Sequence, residues 1–189
     1  MDKKKLQTIT SDFSEFQGSR LYCSEDTAER IRKEVSRLPL EAVHLLGTGD
    51  WHYVSLFWLE RINSPFTLVL YDNHPDDQPC AFGENLLSCG SWVREARRLP
   101  FCHDVLWNPD SVPSDRRVYV SIDLDVLSPA YARTNWDQGE MTISDLLGRL
   151  TEIRRKCDVI GVDICGGLPD DRRINAEAED AISGIFLFD

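Results

Sequence analysis

The chain has 189 residues, 21 of them Lys or Arg against 32 Asp or Glu, for a formal net charge of −11 and an apolar share of 42%. This length suits one domain, read as residues 1–189, with a sizeable core; the acidity argues against a nucleic-acid or anionic-membrane surface. No apolar run approaches the roughly 18 residues of a membrane span. The start "MDKKKLQTIT" has no apolar stretch after its lysines, and six cysteines show no C-x-x-C spacing, so the expected setting is cytoplasmic with reduced thiols.

Strand and helix alternate along the chain. "RLYCS" reads as a short strand. Ser24 then caps a helix that carries Glu25 and Asp26 in its first turn and runs through "RIRKEVSRL". "AVHLLG" is a strand ending in a glycine turn. "WHYVSLFWLERI" is helical, with Val54, Phe57, Trp58 and Ile62 on one apolar stripe. "FTLVLYD" is a buried strand and "GSWVREARRL" a helix. "DVLWN" and "RVYVSIDLDV" are strands. "ISDLLGRLTEIRRK" is a helix capped by Thr142 or Ser144, "DVIGVDIC" a last central strand, and "INAEAEDAISGIFLF" a closing helix. Val-, Ile- and Leu-rich strands separated by single helices predict a three-layer α-β-α sandwich with a mainly parallel central sheet.

In such folds ligands collect beyond the carboxyl ends of the strands, and the polar clusters fall there. "GTGDWH" follows "AVHLL", "DNHPDD" follows "TLVLY", "DLDVLSP" follows "RVYVSI", and "DICGGLPDD" extends "VIGV". Asp72, His74 and Asp76 stand at alternate positions, which share one face of extended chain, and Asp123 and Asp125 repeat that spacing. Two carboxylates about 4 Å apart repel by roughly 4 kcal/mol at an effective dielectric of 20. If the two strands are neighbours, four carboxylates and an imidazole converge, a charge that two divalent cations balance. Oxygen ligands with one or two imidazoles and no thiolate suit Mn²⁺ better than structural Zn²⁺, with Mg²⁺, Fe²⁺ and Zn²⁺ also open. Two metals lower the pKa of a bridging water, which is hydrolytic chemistry. A D-x-H-x-D segment by itself is as often a solvated loop; D-x-D at a second strand end and the glycine turn with His52 at a third carry the reading with it.

"GTGDWH", "DNHPDD" and "SIDLDVLSP" resemble the three signature segments of the ureohydrolases, the arginase and agmatinase family, usually G-G-D-H-S, D-A-H-x-D and S-x-D-x-D-x-x-D-P. The resemblance spans about residues 43–189 and implies a shortened arginase/deacetylase-like fold with two Mn²⁺ ions and a bridging hydroxide. Asp72 and Asp123 would bridge the metals, His74 and Asp125 would complete one and Asp76 the other, with Asp125 also serving catalysis. The remaining ligand would be His52, with Asp50 orienting it, or else Asp50 itself, because Trp51 separates the two. Cys89 holds the place of the family's proton-transfer histidine; a small buried thiol is the alternative reading. Gly166 stands where a glutamate grips the guanidinium; Glu140, Asp170 and Asp171 are the acids that could replace it. Ser128 takes the place of the Asp before Pro. Gln78 matches a substrate-contacting position.

Trp51 and Trp136 adjoin these segments and are candidates to line the substrate pocket, while Trp92 and Trp107 read as core or groove packing. His44, inside a strand, reads as a core histidine, and Asp163 as an acceptor close to the metals. The metal machinery is thus complete by type and the guanidine-recognition machinery is not. The expected activity is hydrolysis of a C–N bond in a guanidine or amidine, small or within a peptide, other than free arginine, by a chain able to form homo-oligomers. Two alternatives stay open: a deacetylase-like amide hydrolase with a single metal, and a metal-retaining binding protein without turnover.

Overall fold

A computed structural model describes residues 5–80 and 86–187. In chain order the strands are β1 (Thr8–Thr10), β2 (Tyr22–Cys23), β3 (Val43–Leu45), β4 (Phe66–Tyr71), β5 (Leu87–Ser88), β6 (Cys102–Trp107), β7 (Arg117–Asp123) and β8 (Asp158–Cys165). The helices are α1 (Glu25–Val35), α2 (Ser55–Leu59), α3 (Trp92–Ala96), α4 (Ile143–Lys156) and α5 (Arg172–Leu187). Six strands form one sheet in the order β1-β3-β8-β7-β4-β6, every neighbouring pair parallel.

Each central strand is apolar on both faces because both are covered. In β4, Phe66, Leu68 and Leu70 point into one core, with Ile31 and Val35 of α1, Phe57 and Trp58 of α2 and Trp92 of α3. Val69 and Tyr71 point into the other, with Leu146 and Leu150 of α4 and Ile182 and Phe186 of α5. The period of two along the strand makes three layers, as the sequence predicts. Ser24 caps α1, its hydroxyl accepting from Thr27 N. Thr142, of the two candidates, caps α4 by accepting from Asp145 N. No helix among the described residues is long and apolar enough to cross a membrane.

Several local expectations are corrected. The strand at Tyr22–Cys23 lies outside the main sheet, paired antiparallel with β5, and the sheet's edge is instead β1, which the sequence reading passes over. The helix expected over 51–62 is a 3-10 turn, Gly49–Val54, running into the short α2. The strand expected through Val126 ends at Asp123 and becomes a 3-10 turn, Leu124–Val126. The physical reason is Asp123, whose carboxylate accepts the backbone N–H of Asp125 at 2.9 Å and turns the chain. Trp107 is half-exposed on edge strand β6.

Candidate metal centre

All strands of the sheet run the same way, so their carboxyl ends share one rim. β4 and β7 are neighbours, with Tyr71 opposite Ile122, which brings the segment after β4 beside the segment after β7. Asp72 leaves β4 and accepts the N–H of His74 at 2.6 Å. Asp76 sits at φ +46°, a turn conformation that aspartate tolerates better than most residues. His52 arrives from the 3-10 turn after β3. At the start of that turn a Cβ on Gly49 would lie 2.9 Å from both Asp123 Oδ2 and the Trp136 ring, so glycine lets the turn close over the rim.

The result is two triads that share one carboxylate. His52 Nδ1 lies 3.1 Å from Asp72 Oδ2, 3.2 Å from Asp76 Oδ2 and 3.6 Å from Asp123 Oδ2. His74 Nδ1 lies 2.8 Å from Asp125 Oδ2 and 3.6 Å from Asp72 Oδ1. The two oxygens of Asp72 therefore face different imidazoles. The potential ligand atoms of His52, Asp72 and Asp76 are mutually within 4.8 Å, as are those of Asp72, His74 and Asp125. All six residues except His74 are buried. No Arg or Lys among the described residues pairs with these four aspartates.

Without a cation this cluster has to keep protons. Burial, then the charges of Asp123 and Asp72, push the Asp125 carboxyl up to about 9. Burial raises Asp76 to about 6 and raises Asp123 too, helped by Asp72. Asp72 is also buried, but its hydrogen bonds with His52 and His74 outweigh burial and hold it at about 2. His74 rises to about 9, chiefly through Asp72. For His52, burial works against the charge, but Cys165 and then Asp72 and Asp76 prevail, so the ring's pKa stands well above the usual value.

The supporting residues largely escaped sequence reasoning. Ser121 on β7 stands 2.9 Å from His52 Nε2 and donates its hydroxyl to Asp163 Oδ1 at 2.7 Å. Its one proton being used there, Ser121 accepts from Nε2–H, and Nδ1 faces three carboxylates, carrying the ring's second proton until a cation displaces it. That Nδ1 is buried and completes no hydrogen bond. Trp92 donates its indole N–H to Asp76 Oδ2 at 2.8 Å, a tie beyond the packing role expected of it. Asn73 N donates to Asp125 Oδ1 and Asn73 Nδ2 to the Asp137 carbonyl. Trp107 and Asn108 both donate to the Asp72 carbonyl. The only signal for these partners lay in their nearness to strand ends.

Other expected residues are placed as follows. Asp50 is buried but is held by Arg20 Nε at 2.9 Å and Asn135 Nδ2 at 2.8 Å, belongs to neither triad, and ties two loops together. A cleft of about 510 Å³ opens over the cluster, with Tyr22, Gln78, Cys89, Trp136 and Asp137 in its wall. Trp51 does not reach that wall: its indole donates to Ser19 Oγ at 3.0 Å and its ring packs on the core. Glu140 is exposed and outside it, as are Asp170 and Asp171. Gly166 adopts φ +105°, and a Cβ there would meet Asp123 Oδ1 at 2.2 Å, so the position has no room for any side chain. The Cys89 thiol is pushed up to about 12 by burial and then by Asp76. A second thiol, Cys165, donates to Asp123 Oδ2 at 3.2 Å; the all-oxygen-and-nitrogen surroundings expected from the sequence are corrected by β8, whose last residue is the register partner of Asp123.

No family model matches this sequence. An uncharacterized protein from Thermotoga maritima is 33% identical over 73% of this chain, which spans 63% of that relative's length. Among solved structures, proclavaminate amidino hydrolase from Streptomyces clavuligerus superposes with a TM-score of 0.69 at 18% identity, covering 87% of this chain and 70% of its own. Arginase from Medicago truncatula gives 0.67 at 17%, with 87% and 65% covered. Formimidoylglutamase from Bacillus subtilis gives 0.63 at 14%, with 85% and 66% covered. The chain has the ureohydrolase fold. Its candidate His and Asp clusters stand at the carboxyl rim of the ureohydrolase sheet, where the three signature-like segments meet.

Proposed function

We propose that this chain is a divergent ureohydrolase, a metal-dependent hydrolase acting on a C–N bond of a guanidine- or amidine-type substrate. The carrying observation is Asp72, whose two oxygens face two separate imidazoles inside a buried acidic cluster that has no Arg or Lys partner among the described residues. His52 Nδ1, buried and completing no hydrogen bond, faces three carboxylates and suits a cation in place of its proton. His52 and Asp76 would hold one divalent ion and His74 and Asp125 a second, with Asp72 and Asp123 between them; Mn²⁺ suits the carboxylate-rich set. Such a pair supplies Lewis acidity and a water acidic near neutral pH.

The chain's own residues do the rest. Ser121 and Asp163 fix the ring of His52, Trp92 fixes Asp76, and Asn73 fixes Asp125. The cleft's volume lies in the ordinary small-molecule range. Trp136 offers a half-exposed aromatic face beside His74, ring centroids 6.2 Å apart, and Gln78 and Asp137 supply polar contacts. With no side chain possible at Gly166, a cationic group would be recognised by Asp137 and the Trp136 ring. Cys89, its thiol held up by burial and then by Asp76, can donate a hydrogen bond to a bound substrate. The same two departures, Gly166 and Cys89, favour a second reading as a metal-holding binding protein without turnover.

The test is elemental analysis of wild type and Asp123→Asn after Mn²⁺ loading, followed by a screen of guanidines, amidines and arginine peptides for urea or amine release. Two metals per chain, lost on substitution, with product release support the first reading. Two metals without release support the second. No metal refutes both.

A further inference from the structure

Cys165 closes β8, fully buried, directly across from Asp123 in the β7–β8 register. Strand alternation sends Val162 and Ile164 into the α4–α5 core and turns Asp163 and Cys165 the other way, towards His52. The sulfur lies 3.2 Å from Asp123 Oδ2, and the potential ligand atoms of Cys165, Asp123 and His52 are all within 4.8 Å of one another. A structural thiol would need only an apolar cavity. This one is aimed into a group that already contains a buried imidazole nitrogen with no hydrogen-bond partner, and that nitrogen points to a cation independently of the thiol. The turn at Gly166 keeps the sulfur in place, since no bulkier residue fits against Asp123 there.

We infer that Cys165 is a ligand of the metal position on the His52 side, forming with His52 and Asp123 a mixed nitrogen, oxygen and sulfur site that takes a softer divalent ion such as Zn²⁺. This rests on the metal-centre reading above and deepens it. On coordination the S–H proton leaves to solvent and the sulfur binds as thiolate. The two positions then differ in kind: the Asp72, His74, Asp125 position keeps only oxygen and nitrogen donors and suits Mn²⁺, while thiolate selects zinc on the other side.

X-ray absorption on the full chain loaded with Zn²⁺ tests this. Zinc–sulfur scattering falls at about 2.3 Å and zinc–nitrogen or zinc–oxygen at about 2.0–2.2 Å. The expected result is a sulfur shell in wild type, retained in Cys89→Ser and lost in Cys165→Ser. A sulfur shell that survives Cys165→Ser overturns the inference, as does bound zinc with nitrogen and oxygen distances only; the metal centre itself stands in both cases. A chain that binds neither Zn²⁺ nor Mn²⁺ sinks the metal centre and the inference with it. Should Cys165→Ser fail to fold, Cys165→Ala and the sulfur-to-metal charge-transfer absorption of Co²⁺-loaded wild type replace it, the inference requiring that absorption in wild type and Cys89→Ser.

Discussion

His44 and His52 sit on consecutive elements, both fully buried, and their chemistry is opposite. His44 lies in β3 with its ring stacked on Trp58, centroids 3.7 Å apart. Burial pulls its pKa down to about 4, and the backbone of Leu40 and Pro39 offsets only part of that. His52 is as deeply buried, yet Cys165 and the carboxylates of Asp72 and Asp76 around it reverse the outcome. Burial therefore does not decide what a histidine does. The sheet does: its interior strands supply apolar walls and its carboxyl rim supplies acids, and a few residues of travel from β3 carry the chain from one to the other.

The contrast can be broken most severely at Asp72. Asp72→Asn removes charge from both triads at once, so Mn²⁺ content is expected to fall from two to none by elemental analysis; retention of one ion would mean that the triads are independent. His44→Phe should leave metal content unchanged and act on stability alone. The folded pKa of His44 is lowered, so the wild type keeps this contribution above about pH 6.5 and loses about 3 kcal/mol of it as pH falls to 4. Urea unfolding across that range should show a flatter pH profile in the variant by this amount; an unchanged profile would contradict the buried neutral ring. Ser121→Ala frees the His52 ring without touching a ligand, and isothermal titration should read roughly a tenfold weaker metal affinity, the lower end for such outer partners. Smallest is Trp136→Ala, which removes an exposed ring worth roughly 0.5–1 kcal/mol to a cation, or about 2–5-fold in KM with kcat unmoved; a matching fall in kcat would place the ring in the chemistry instead.

The alternation of apolar strands with amphipathic helices made the three layers legible, down to the limits of α4 and β8. The ligand candidates were legible too, because D-x-H-x-D and D-x-D ride directly on strands and strand ends converge in a parallel sheet. What escaped has physical causes. β1 is three residues long, one half-buried isoleucine between two exposed threonines, too short for its alternation to register as a strand. The 3-10 turns come from aspartates bonding their own backbone, which local pattern does not separate from a strand. Ser121, Trp92 and Asn73 act across the fold on His52, Asp76 and Asp125, and Cys165 reaches the rim only because β8 inserts between β3 and β7. Such contacts depend on strand order, which no short window of sequence contains.

That strand order has a kinetic consequence. β8 is the last strand in chain order, yet it occupies the middle of the sheet, between β3 and β7. During synthesis the earlier described strands of this sheet form two separate fragments, β1 with β3 and β7 with β4 and β6. The seam closes when the final strand threads between them, bringing Asp163 and Cys165 against Ser121 and Asp123. Closure of long loops is slow and leaves unpaired edges open to aggregation meanwhile. The same strand that completes the rim therefore also joins the two halves of the sheet.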